Sequence, residues 1–178
     1  MHALGAQLTF QALLTVLEDP EARQSRLVWF HLTSFLHHAS MMSKFLTPIS
    51  KEPTAVARGQ ALRDALDIDS SSAVLPRDAR DNIEHFDDRM DLWLRDSSPN
   101  ILEIVLDDRE DYDYLRVAEK RVKRLLIADE LTFVSETRKS TKFELQLRPI
   151  LEEVERIRSA VNTWMGRSSP CTFVYPGH

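Results

Sequence analysis

A chain of 178 residues with 43% hydrophobic and 29% charged residues is long enough for one domain with a true core. The formal net charge of -5 argues against non-specific nucleic-acid binding, which demands a positive face, and a lone cysteine, Cys171, rules out an intrachain disulfide framework. No apolar run approaches the roughly 20 residues needed to cross a bilayer, and the first residues lack a basic region followed by an apolar core, so a cytoplasmic protein is expected.

From Gln7 to Glu18, Leu8, Phe10, Leu13, Leu14 and Leu17 recur at helical spacing and predict a first helix ending near Asp19-Pro20. A longer helix follows, Glu21 to Leu46. One apolar stripe runs Val28, Leu32, Phe35, Ala39, Met42, Leu46, and a neighbouring one runs Leu27, His31, Ser34, His38, Met41, Phe45. Together they predict a wide buried face, as in a central bundle helix. Thr54 to Leu66 reads as a third helix with Val56, Ala57, Ala61, Leu62, Ala65 and Leu66 inward, followed by the polar loop Asp69 to Ser72.

The stretch from Leu75 to Asp96 is the most distinctive. Ala79, Ile83, Phe86, Met90 and Trp93 form one helical stripe, while Pro76, Asp78 and Asp81 suit a helix start. Ile101 to Leu106 is short, apolar and β-branched, and predicts a strand. Asp107 to Asp113 is almost all charge and predicts a solvated loop. Arg121 to Ile127 could continue a helix or pair as a strand, with the strand preferred, and Leu131 to Val134 with Phe143 to Leu147 reads as a β-hairpin. A last helix runs from Arg148-Pro149 to about Trp164, with Ile150, Leu151, Val154, Ile157, Val161 and Trp164 inward and Gly166 as its stop. The expected fold is mainly α, a helical bundle of about five helices with a small antiparallel β insertion before the last helix. Residues 1–166 make a single domain, 101–147 the β-containing insertion, and 167–178 a loosely held tail.

Chemistry concentrates in Arg80-Asp81-Asn82-Ile83-Glu84-His85. On an ideal helix Arg80 and His85 project about 140° apart, so they can flank one anion only where the helix edge faces a cleft or a second subunit. Asp81, one turn before His85, could accept its Nδ1 hydrogen, and Glu84 is placed to pair with Arg80. These six residues resemble the Arg-x4–6-His motif of the HEPN superfamily, and Ile83 to Arg89 is similar to a segment of uncharacterised bacterial proteins of that type. The resemblance covers one helix and a compatible architecture, while the strand-rich insertion is no part of a minimal HEPN bundle. It implies a compact helical bundle, a homodimer with the motif at the interface, and a metal-independent endoribonuclease of a toxin or defence type. By that resemblance Arg80 would stabilise charge on the scissile phosphate, His85 would move a proton at the 2′-hydroxyl or leaving oxygen, and Asp81 and Asn82 would shape the site. RNA or a cognate protein would be the partner, with no metal or other cofactor.

Other readings of these residues stand beside it. Arg80 and His85 could serve only surface salt bridges, making the chain a non-catalytic helical interaction module or regulator. His31 and His38 lie two turns apart on the second helix, about 10.5 Å, too far to share a metal ion directly. A further ligand such as His85 could complete a site with one of them, giving a third reading, a metal-dependent bundle enzyme. Glu-x-x-His, Gly-rich phosphate loops and Cys-pair motifs are absent.

Overall fold

A computed structural model describes residues 1–76, 101–114, 122–136 and 141–168. Five helices and four strands occur among them: α1 (His2–Glu18), α2 (Arg26–Leu46), α3 (Pro53–Ala65), β1 (Ile101–Leu106), α4 (Arg109–Tyr114), β2 (Val122–Ile127), β3 (Thr132–Glu136), β4 (Lys142–Gln146) and α5 (Leu147–Ser168). The expected helix over 75–96 falls outside the described residues beyond Pro76, as do the motif residues Arg80, Asp81, Asn82 and His85.

Among the described residues, helices α1 and α2 form the most extensive packing, and α5 lies along α1. The leading stripe of α2 is buried throughout: Val28, Leu32, Phe35, Ala39, Met42 and Leu46 all face the core. Phe10 of α1 meets Phe35 edge-on with ring centroids 4.9 Å apart, a favoured aromatic arrangement. The neighbouring stripe expected to widen that face does not do so. Leu27 and Phe45 are exposed, and the buried face instead extends through Leu36, Ser40 and Ser43. Helix α2 also begins at Arg26 rather than Glu21, because Ala22 and Arg23 turn back onto the Asp19 carbonyl.

The sheet has the order β1-β2-β3-β4. The expected hairpin is present as the antiparallel pair β3–β4, and β2 pairs antiparallel with β3. The sheet is nevertheless mixed, not antiparallel, since β1 and β2 run parallel. Parallel strands need a crossover of about a dozen residues or more, and the stretch 107–121 between them supplies one. Side chains alternate between faces as the pleat requires. Val105, Leu126, Phe133, Phe143 and Leu145 join the helical core, whereas Leu106, Leu125, Ile127 and Val134 form a smaller cluster on the opposite face with Tyr112.

Three further expectations change. The charged run after β1 is not wholly a loop but carries α4. The Asp108 carboxylate accepts the Asp111 amide at 2.9 Å, and Glu110 and Asp111 sit in the first turn, where the helix dipole favours negative charge. The inner face proposed for α3 is largely exposed, Val56 included, and the helix seats through buried Gly59. Helix α5 runs past Gly166 to Ser168, and Trp164 is exposed.

Ion pairs and hydrogen bonds tie the layers together. Arg23 holds Asp107 at 2.5 Å while Gln24 donates to the Val105 carbonyl at 2.7 Å, so the α1–α2 turn grips the end of β1. Arg109 makes forked contacts with both Glu130 and Glu144, closing α4 onto the β2–β3 turn and β4. On the sheet, Lys123 and Glu136 pair at 3.4 Å with side chains only 7% and 6% exposed.

Candidate functional site

Among the described residues, the features with chemical or binding potential gather where the start of α1 meets the end of α2. An apolar cleft of about 550 Å³ opens there between four helices. Its walls are Ala3 and Leu4 of α1, Met42, Phe45 and Leu46 of α2, Leu62 of α3 with Leu66 just after it, and Ile157, Val161 and Met165 of α5. Leu4, Phe45 and Met165 remain substantially exposed, although each is apolar. Arg158 and Asn162 add polar groups to the rim, and the Arg158 guanidinium donates to the Gln7 side-chain oxygen.

His2 also lines this cleft and reaches across to α2. Its Nδ1 lies 3.2 Å from Nδ1 of His38, with the two rings tilted by 51°. The His37 ring centroid stands 5.9 Å from that of His38. The close approach depends on Gly5. A Cβ there would sit 2.5 Å from His38 Nε2, so only a residue without a side chain lets the imidazole rest on the backbone of α1. Burial, followed by the charges of His2 and His37, holds the His38 pKa below its ordinary value.

His38 pairs with His2, and the Nδ1 of His31 is buried without a hydrogen-bond partner among the described residues. His2 carried no local signal, because its partner is 36 positions away and only helix pairing brings the two together.

A second, polar cleft of about 530 Å³ lies at the carboxyl ends of β1 and β2, where Glu18, Asp107, Asp108 and Asp129 face Arg23 and Arg148. Its carboxylates are partly committed to structure. Asp107 binds Arg23, Asp108 caps α4, and Asp129 accepts the Glu130 amide.

Val74 is buried, and Pro76, the last described residue before the Arg80 stretch, borders a small cavity with Leu36, Ala39 and Ile150. No protein-family model matches the chain, and no curated protein or solved structure does either.

Proposed function

We propose that this protein is a HEPN-like, metal-independent endoribonuclease with a helical-bundle scaffold, acting as a homodimer with Arg80 and His85 at its reactive centre. The observation that carries the reading is the run Arg80-Asp81-Asn82-Ile83-Glu84-His85 on a stretch whose apolar residues recur at helical spacing. Helices α1, α2 and α5, packed on one another, are compatible with a helical scaffold of this kind.

In this reading RNA is cut by its own 2′-hydroxyl. His85 exchanges a proton with that hydroxyl or with the leaving oxygen, a role suited to a group titrating near neutrality. Arg80 balances the charge that builds on the phosphate as the new bond forms. Asp81 and Asn82 orient the two groups, and the products are a cyclic phosphate and a free 5′-hydroxyl.

The test is incubation of the pure chain with mixed RNA in excess chelator, beside Arg80→Ala and His85→Ala. Cleavage by the wild type that both substitutions abolish is the expected outcome. Intact RNA after incubation with the wild type overturns the nuclease.

The apolar cleft favours a second reading, a non-catalytic interaction module. Leu4, Phe45 and Met165 expose apolar surface around a groove, as protein-binding surfaces do. Sedimentation separates the two: a monomer that leaves RNA intact, and enters a larger complex with a cognate protein, fits the module.

A further inference from the structure

Two imidazoles from different helices face each other nitrogen to nitrogen at the junction of α1 and α2. The Nδ1 atoms of His2 and His38 are 3.2 Å apart. As neutral rings they can make this contact only with a proton on one Nδ1 and none on the other. A bound metal ion would satisfy both at once. With Zn–N bonds of about 2.0–2.1 Å, two corners of a tetrahedral site lie about 3.3–3.4 Å apart, close to the separation found here.

We propose that His2 and His38 form half of a binding site for a borderline divalent transition-metal ion such as Zn²⁺, its remaining positions open to water or a small Lewis base. Imidazole donors suit zinc, nickel and copper and disfavour magnesium and calcium, which take oxygen ligands. No group of three or more His, Cys, Asp and Glu side chains able to hold an ion occurs among the described residues. The chain's described residues therefore supply two donors, one fewer than the three protein ligands of catalytic zinc sites, and water or a small Lewis base fills the other positions.

One feature of the surroundings suits the ion. Gly5 leaves room for the His38 ring to stay against α1, so the pair is held in place before any metal arrives. Because His2 also borders the apolar cleft, a ligand completing the coordination sphere would enter from that side. Bound metal would cross-link α1 to α2, and this site stands whether or not the chain cuts RNA.

The experiment uses the full chain without an affinity tag, stripped with chelator and titrated with Zn²⁺ alone at about pH 7.5, a unit above the ordinary imidazole pKa. Heat and the ring signals of His2 and His38 are followed together. Saturable binding that moves both rings is expected. His2→Gln and His38→Gln should each weaken binding by about tenfold or more, since losing a direct ligand costs at least what losing an outer-shell partner does. His2 lies in the first turn of α1, so His2→Gln reports the loss even if His38→Gln fails to fold. Absence of binding by the wild type, or equal affinity in wild type and His2→Gln, overturns the site and leaves a shared-proton contact.

Discussion

Gly59 and Gly166 lie inside α3 and α5, and changing each to alanine should move stability in opposite directions. In an unobstructed helix alanine is favoured over glycine by about 1 kcal/mol. A Cβ at Gly166 would meet nothing within 4 Å, so propensity acts there alone. Gly166 is near the helix end, and about 0.5 kcal/mol of stabilisation is expected. At Gly59 the added carbon would sit 2.6 Å from Pro48 Cδ and 2.8 Å from the Leu46 carbonyl oxygen. Neither can swing away, because one belongs to a ring fixed to the backbone and the other is backbone at the end of α2. Helix α3 must back off, at an overpacking cost of about 1–3 kcal/mol. The same movement strains the hydrogen bond from Arg63 to the Leu46 carbonyl, worth about 1 kcal/mol. After subtracting the propensity gain, Gly59→Ala should lose about 2 kcal/mol. Urea unfolding of both variants measures this as midpoint shifts of opposite sign at unchanged slope. A Gly59→Ala protein as stable as the wild type would refute the seating of α3 on the end of α2.

Glu136→Gln should destabilise by about 3 kcal/mol, since it strips the buried negative charge that pairs with both Lys123 and Lys142. Adding Lys123→Met should recover part of that loss in the same urea assay. The His38 pKa is lowered on folding, so the unfolded chain binds its proton more tightly. Stability is whole above the ordinary value of 6.5 and falls as pH drops below it, a decline that His38→Gln should flatten. The Glu130 and Glu153 carboxyls are lowered by hydrogen bonds from Arg109 and Arg156. Their contribution is full above the ordinary 4.5 and lost as pH falls through the folded values, so thermal melts should show a second acid decline that His38→Gln leaves intact.

Periodicity found the elements better than it found their faces. The Val28-to-Leu46 stripe of α2 was legible because each of its members fills the core. The flanking stripe ending in Phe45 has the same spacing, yet a period alone does not say how wide the covering layer is. Helix α3 misled for a related reason: it docks through Gly59 against Pro48, and a glycine contributes nothing to an apolar pattern. Helix α4 had a readable signal in Asp108 and the acidic turn after it, but the density of charge suggested solvent. The forked Arg109 contacts explain how so charged a segment is held down. Pairings such as His2 with His38, or Lys123 with Glu136, depend on helix contact and strand register and leave no local trace. The Arg80 and His85 motif, the clearest chemical signal in the chain, lies outside the described residues.

The sheet bears on what kind of helical protein this is. An appended β element would bury its own side chains and leave the helical core complete without it. Here Val105, Leu126 and Phe133 lie in the same cluster as Phe10, Phe35 and Val154, so one face of the sheet is a wall of the helical core. Leu126 is fully buried and Phe133 is 2% exposed, and removing 101–146 would uncover the apolar surface of α1, α2 and α5 that they shield. Gln24 and Arg23 also spend their polar groups on the end of β1, which fixes the sheet to the turn between the two principal helices. The strands therefore complete the fold, and the helices close against the sheet as well as against each other.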